Sequence, residues 1–206
     1  MIIFSPFQVG HRMPQPIFHK SRGLLVANTN FEYLDEGGQG VVFLDRARGR
    51  ILKVYKAQSK HSHYTKVFDG EVSAYRIAAD SPELRELVPA FLGEQTIQKI
   101  EDKNGVDVTH EFYPDLAFET EFIPGRLERF RWAPQSERDR IVALFHSRGI
   151  RYVSSASVLV NAGRIEKLVD LNIGYIEPFP SWPVLLRAFL LWPFNRGWFN
   201  RWRPDL

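Results

Sequence analysis

The most informative stretch of the sequence runs from residue 36 to residue 55 and reads EGGQGVVFLDRARGRILKVY. Its two apolar runs, residues 41–44 and 51–55, are rich in β-branched and aromatic residues, which favour β-strands. A glycine turn precedes the first run, and Arg48-Gly49-Arg50 separates the two runs. Residues 31–34 form a further strand-like run before the glycine turn. The pattern predicts three antiparallel strands that are joined by tight turns.

Candidate binding residues lie in this stretch and just after it. The glycines of the turn are Gly37, Gly38 and Gly40. Such a cluster indicates positive φ angles or a close backbone approach. Lys53 lies among apolar strand residues, where an ammonium group needs an ion-pair partner or a route to solvent. Apolar periodicity predicts a helix over residues 64–79, which places Glu71 nearby as a partner. A plain hairpin turn and a solvated helix face are the alternative interpretations.

The rest of the chain continues as a mixture of strands and helices. We expect strands over residues 91–100 and 118–123, a hairpin turn at 102–105, a helix over 134–147, and a small hairpin from 157–160 and 165–169. These elements predict an α+β fold with an antiparallel-sheet N-lobe, one helix, and a reduced, mainly helical C-lobe. The expected organisation is a leader over residues 1–30, an N-lobe with a hinge over 31–125, and a C-lobe over 126–206.

Composition excludes several classes of protein. The chain has 206 residues, which suits one ordinary domain, and its net charge is +3. The absence of cysteine excludes disulfides, a thiol nucleophile and cysteine-bound zinc. The histidines lack a metal-ligand spacing, and no Gly-x-Ser-x-Gly motif occurs. We expect neither a secretory signal nor a membrane-spanning helix, and therefore a cytoplasmic protein.

The order of these features resembles the protein-kinase fold. Residues 38–42 match an abbreviated glycine-rich loop, residues 51–53 match the third-strand lysine motif, and Glu71 matches the helix glutamate that holds that lysine. Residues 120–125 resemble the hinge, and residues 168–170 resemble the strand that ends in the metal-binding aspartate.

This resemblance implies a site for ATP with Mg²⁺. Lys53 would bind the α- and β-phosphates, Glu71 would orient Lys53, and Asp170 would hold the metal. The glycine turn would cover the phosphates. The backbone of Glu121 and Ile123 would contact the adenine ring.

The catalytic loop of the kinase pattern is altered in this sequence. Tyr152 stands where the family has histidine, Ser154 where it has the catalytic aspartate, and Ser157 where it has asparagine. No carboxylate occurs in residues 149–160, and a serine hydroxyl is a poor base near pH 7. The residues after Asp170 are too few for an activation segment and substrate-binding helices. We therefore assign no catalytic residue.

A narrower resemblance accounts for these departures. The sequence is similar to the YrbL family of small Gram-negative bacterial proteins, which is named for the PhoP regulatory network. Shared features are Ser154, the Asn172-Ile173-Gly174 segment and a Trp- and basic-rich tail. The loop at residues 156–159 is shorter than in that family. The resemblance implies a bacterial cytoplasmic regulatory or accessory protein.

The C-terminal tail suggests how such a protein would act. Residues 182–203 hold four of the five tryptophans together with four arginines. This composition fits additional core, a contact with an anionic membrane at its inner face, or a groove for a protein partner. Nucleic acid is not an expected partner, because the basic residues form no long stripe.

Three functional hypotheses follow. The first is a pseudokinase-type regulatory or accessory protein that binds ATP and acts through a protein partner or a membrane. The second is a minimal, unconventional phosphotransferase acting on a protein or a small molecule. The third is a structural adaptor that binds no nucleotide.

Overall fold

The computed structural model describes residues 22–58 and 60–174, and these residues have an α+β fold. The chain divides into two units, residues 1–174 and residues 175–206. All the described residues belong to the first unit. The predicted Trp- and Arg-rich tail therefore lies outside the described residues, as does most of the predicted leader.

The described residues form two antiparallel sheets and three α-helices. In chain order the elements are β1 (Leu25–Val26), β2 (Glu32–Glu36), β3 (Gly40–Asp45), β4 (Arg50–Lys56), α1 (His61–Asp80), α2 (Pro82–Arg85), β5 (Phe91–Gln95), β6 (Ile100–Glu101), β7 (Phe112–Glu121), β8 (Glu128–Arg129), α3 (Gln135–Ser147), β9 (Ser157–Asn161) and β10 (Arg164–Val169). The larger sheet has the strand order β5-β7-β4-β3-β2-β1-β6, and the smaller has the order β10-β9-β8.

The predicted three-stranded meander is confirmed by β2, β3 and β4. The side chains of β3 and β4 alternate between the two faces of the sheet, as the two-residue period of a strand requires, whereas β2 has no buried residue. One face of the curled sheet buries Val41, Phe43, Leu52 and Val54 in a shared apolar cluster. The intervening residues of β4 face α1. The sheet is thus covered on the side that carries Lys53.

Helix α1 packs across that second face. Its buried residues recur every three or four positions, the pattern of an amphipathic helix. The rings of Phe68 and Tyr75 lie 6.2 and 5.7 Å from the ring of Phe118 in β7. Glu71 lies between these two residues along α1, so its side chain shares the buried face. The helix ends before Pro82, as predicted, because proline disfavours helical φ and ψ in the residue before it.

Two strand predictions have the wrong bounds. Strand β5 ends at Gln95 rather than at residue 100, because the chain crosses there from one edge of the sheet to the other, where β6 pairs with β1. Strand β7 begins at Phe112 rather than at residue 118 and ends at Glu121. An irregularity between Val54 and Tyr55 in the β4–β7 pairing accommodates Pro114, which the sequence pattern reads as a strand break.

The end of the predicted leader belongs to the sheet. Strand β1 pairs with both β2 and β6. Leu24 and Val26 are buried in the apolar cluster. The sequence pattern missed this strand because it spans two residues and shows no period.

The predicted helix and hairpin of the C-terminal part are confirmed as α3 and the β9–β10 pair. For the described residues 126–174 the prediction of a mainly helical lobe is wrong, because α3 is accompanied there by a three-stranded sheet. The hairpin contacts the segment after α2. The Leu168 N–H donates to the Leu87 carbonyl at 2.8 Å, and the Lys167 ammonium donates to the Val88 carbonyl at 3.2 Å. These bonds place the end of β10 beside the larger sheet. Within residues 22–58 and 60–174, no helix is both long and apolar enough to cross a membrane.

Candidate functional site

Three charged side chains meet between β4, α1 and the end of β10. The Lys53 ammonium donates to both carboxylate oxygens of Glu71 at 2.8 Å. It also donates to Oδ1 of Asp170 at 2.9 Å. The fold therefore brings the predicted lysine, helix glutamate and metal-site aspartate into direct contact. Lys53 and Asp170 are 117 residues apart in the sequence.

The three side chains of the cluster differ in their exposure to solvent. The side chains of Lys53 and Glu71 are 14% and 5% exposed, whereas that of Asp170 is 52% exposed. The Lys53 ammonium also lies 5.5 Å from the centre of the Tyr55 ring, which favours a cation. A largely buried cation thus lies next to a carboxylate that solvent can reach.

Burial and charge act in opposite directions on these groups. Burial by itself would lower the pKa of Lys53, but the carboxylates of Asp170 and Glu71 outweigh it and raise that pKa well above its ordinary value. The Lys53 charge lowers the pKa of Asp170. Burial raises the pKa of Glu71, and the Lys53 charge opposes that rise. Lys53 therefore stays cationic, and Asp170 anionic, at neutral pH.

Tyr55 is a member of the cluster that the sequence pattern did not identify. Its hydroxyl donates to Oε2 of Glu71. Burial, and then the Glu71 charge, raise the pKa of Tyr55 well above its ordinary value, so it remains a donor. Strand periodicity could have identified Tyr55, because residues two apart in a strand share a face and Lys53 lies two residues earlier. Glu71 thus accepts hydrogen bonds from two residues of β4.

The predicted glycine turn joins β2 to β3. Of the two predicted reasons for its glycines, positive φ angles are observed at none of the three. The expected close approach holds at Gly40, where a Cβ would lie 2.9 Å from the Val54 carbonyl oxygen and 3.7 Å from Cε of Lys53. Around Gly37 and Gly38 the space is open. The turn therefore ends over the Lys53 stem and is uncrowded at Gly37 and Gly38.

Lys56 fixes this turn from the neighbouring strand. Its ammonium donates to Oε2 of Glu36 at 2.7 Å and to the Gly37 carbonyl at 3.1 Å. The Lys56 N–H donates to the Gln39 carbonyl at 2.9 Å. The sequence pattern did not assign this role, because Lys56 looks like an ordinary lysine at a strand end. The backbone of the turn is held in place rather than left to solvent.

The predicted hinge lies at the end of β7. Lys53 pairs with Phe118 across β4 and β7, and Arg50 pairs with Glu121. The Glu121 N–H donates to the Ala90 carbonyl at 2.9 Å. Ile123 follows β7 and is partly buried. Glu121 thus ends the strand next to Lys53 and Ile123 follows it, but neither residue is part of the charged cluster.

Asp170 has an unusual backbone conformation. Its φ is +62°, which is uncommon for a residue other than glycine and recurs at functional sites. Asn172, two residues later, donates through Nδ2 to the Val67 carbonyl of α1 at 3.1 Å and accepts the Gly174 N–H at 2.9 Å. The Asn172 amide therefore bonds both to α1 and to its own segment.

The residues present fit one kind of metal site. Among the described residues, no three His, Asp or Glu side chains are grouped to hold a metal by themselves. Mg²⁺ commonly binds through one or two carboxylates, with phosphate oxygens and water completing its shell. The half-exposed Asp170 carboxylate beside the Lys53 cation suits that arrangement.

The segment in which the sequence predicts an altered catalytic loop, residues 149–160, contacts the residues after Asp170. Tyr152 and Asn172 form an isolated antiparallel bridge, in which the Tyr152 N–H donates to the Asn172 carbonyl at 3.0 Å. Ser154 lies exposed in a turn, and Ser157 opens β9. A neutral hydroxyl at position 154 cannot serve as the carboxylate base of the kinase pattern.

Neither a scan against family models nor a search of curated proteins found a match to this sequence.

Proposed function

We propose that this chain is a kinase-like protein of the pseudokinase type, which binds ATP with Mg²⁺ and has a regulatory or accessory role. The observation that carries the proposal is the contact of the Lys53 ammonium with both Glu71 and Asp170. A buried cation that is oriented by one carboxylate and adjoins an exposed second carboxylate suits a phosphate–metal pair.

The surrounding residues support the same proposal. Lys53 would bind the phosphates, Asp170 would hold Mg²⁺, and Glu71 would keep Lys53 in place. The glycine turn would cover the phosphates, and no protein atom lies within 4 Å of the place a Cβ would take at Gly37 or Gly38. When bound, the metal would neutralise phosphate charge. Glu121, which ends the strand next to Lys53, and Ile123, which follows that strand, would contact the base through their backbone.

Calorimetry of ATP binding tests this proposal. We expect the wild type to bind ATP in a Mg²⁺-dependent manner and Lys53→Met to lose that binding, because the phosphates lose their cation. Lys99→Met is the matched control, since Lys99 pairs with Glu101 away from the cluster. Thermal unfolding of each variant confirms that it is folded. If the wild type does not bind ATP at millimolar concentration, the proposal is wrong and the structural-adaptor hypothesis is favoured.

The unconventional phosphotransferase is the alternative for the same site. Loose phosphoryl transfer needs little help from a general base, so the missing aspartate does not by itself exclude turnover. Transfer of labelled phosphate to the protein or to a small acceptor, lost in Asp170→Asn, would favour this alternative over a pseudokinase.

A second candidate function is contact with an anionic membrane surface. Trp132 is 64% exposed, and the guanidinium groups of Arg129 and Arg131 lie 5.7 and 5.8 Å from its ring. An exposed tryptophan beside cations suits the headgroup layer, where rings and positive charges are both accommodated. Binding to vesicles of defined lipid charge tests this candidate.

A further inference from the structure

The segment after Asp170 is bound directly to the helix that carries Glu71. Asn172 donates its side-chain amide to the Val67 carbonyl at 3.1 Å, and the Ile173 N–H donates to the Gly70 carbonyl at 3.2 Å. On its other side the segment is anchored by Leu171, which is fully buried. The segment therefore contacts the turn of α1 that leads into Glu71.

Gly70 is the residue of α1 that makes this contact possible. A Cβ at position 70 would overlap Oδ1 of Asn172 and would lie 3.0 Å from both Cγ and Nδ2 of that side chain. Glycine inside a helix is less stable than alanine, because it loses more backbone freedom on folding. Gly70 has a buried, helical position, so the close approach of the Asn172 amide is a physical reason for glycine there.

The geometry links two parts of the charged cluster. Gly70 is adjacent to Glu71, and Asn172 is two residues from Asp170. The contact between Gly70 and Asn172 therefore fixes where both carboxylates lie relative to each other. Lys53 reaches both carboxylates only while α1 and the segment after β10 keep this spacing.

We propose that Gly70 and Asn172 are positioning residues that set α1 against Asp170, so that Lys53 is held by both carboxylates. The expected effect of these two residues on ATP binding rests on the proposed function. Their expected effect on how Lys53 is held does not rest on it, because the ion pairs of Lys53 form without a ligand.

The first test is a double-mutant cycle on ATP binding with Gly70→Ala, Asn172→Ala and the double variant. We expect Gly70→Ala to weaken Mg²⁺-dependent ATP binding by about tenfold, because a small displacement of positioned groups is costly. In the Asn172→Ala background, where the amide is absent, the same substitution should have a smaller effect. Ser73→Ala, one turn along α1, is the matched control for a gain in helix propensity.

The second test needs no nucleotide. It measures acetylation of Lys53 by an amine-reactive reagent, with peptide mapping and with the half-exposed Lys99 as an internal reference. We expect Lys53 to react slowly in the wild type and faster in Gly70→Ala and in Asn172→Ala, because loosening the cluster exposes its amine.

The outcomes separate the two proposals. Unchanged Lys53 acetylation in both single variants would overturn the positioning role. If the wild type binds ATP, an additive cycle, or equal ATP affinity in the wild type and Gly70→Ala, would also overturn it. Faster acetylation in a protein that binds no ATP would support the positioning role and refute the proposed function. If Gly70→Ala does not fold, acetylation of Asn172→Ala decides the question.

Discussion

Glu71 is the residue whose role depends most on its surroundings. From the sequence alone, Glu71 could lie on a solvent-exposed helix face. In the structure its side chain is only 5% exposed and accepts hydrogen bonds from Lys53 and Tyr55. A buried carboxylate without partners would be costly, so these donors are a condition of its burial. The pairing of Lys53 with a helix glutamate was predictable from strand and helix periodicity. The same periodicity would also predict the Tyr55 contact, because Tyr55 lies on the same face of β4 as Lys53.

Glu137 allows a pH prediction at the scale of one residue. Its Oε2 accepts the Arg140 guanidinium at 2.8 Å and the Ile165 N–H at 3.2 Å. The Arg140 hydrogen bond, followed by the Ile165 N–H, lowers the pKa of Glu137 from its ordinary value of 4.5. A lowered folded-state pKa contributes stability above the unfolded pKa, and this contribution is lost as the pH falls through the folded pKa.

We therefore expect Glu137→Gln to unfold more easily than the wild type at pH 7, with the difference shrinking below about pH 4.5. Urea unfolding from pH 3 to 7 measures this difference in the free energy of unfolding. Asp139→Asn removes the same charge from the same helix without contacting β10, and it serves as the control. A difference that grows as the pH falls would contradict the prediction.

At the scale of elements, the hairpin that ends in Asp170 contains an imperfect turn. Asn161 pairs with Arg164, which leaves a two-residue turn of Ala162 and Gly163 with φ angles of +48° and +77°. Two-residue hairpin turns with positive φ at both positions prefer Asn-Gly, because a Cβ is strained in the left-handed region. Gly163 suits its position and Ala162 does not.

We expect Ala162→Asn to raise the free energy of unfolding by about 0.5–1 kcal/mol, since asparagine tolerates the left-handed region better than alanine. Gly163→Ala should lower the free energy of unfolding, because it introduces a Cβ at φ +77°. Thermal and urea unfolding measure both changes. A less stable Ala162→Asn protein would show that the turn adopts another conformation.

Element bounds illustrate which local patterns mislead. Residues 91–100 look like one strand, but the chain changes from one edge of the sheet to the other within them. Pro114 obscures the first half of β7, because a proline cannot donate to a ladder and normally breaks a strand pattern. Strand β1 is too short for any period, so its place in the core depends on its neighbours.

At the scale of the whole molecule, the exposed Trp132 leads to a prediction about membranes. We expect the full chain to float with vesicles containing anionic phosphatidylglycerol and not with neutral phosphatidylcholine vesicles. Binding should weaken in Arg129→Ser/Arg131→Ser and in Trp132→Ala, because a headgroup contact uses both charge and ring. High salt should weaken it as well, because salt screens exposed charges.

Arg46→Ser/Arg48→Ser is the matched control for this experiment. It removes the same charge from an exposed hairpin between β3 and β4. Equal loss of binding in both double variants would indicate a nonspecific effect of net charge. Binding that survives both would place the contact elsewhere in the chain.

Local sequence was sufficient for the α+β class, the β2–β3–β4 meander, α1, α3 and the β9–β10 hairpin. Period-two and helical alternation and turn residues act over a few positions, so they can be read along the chain. They also place Lys53 and Glu71 on facing surfaces. The contact of Asp170 with Lys53, the fit of Gly70 to Asn172, the edge strand β1 and the exposure of Trp132 depend on the path of the chain through space. These features join residues far apart in sequence, and no short-range pattern records which distant groups will pack together.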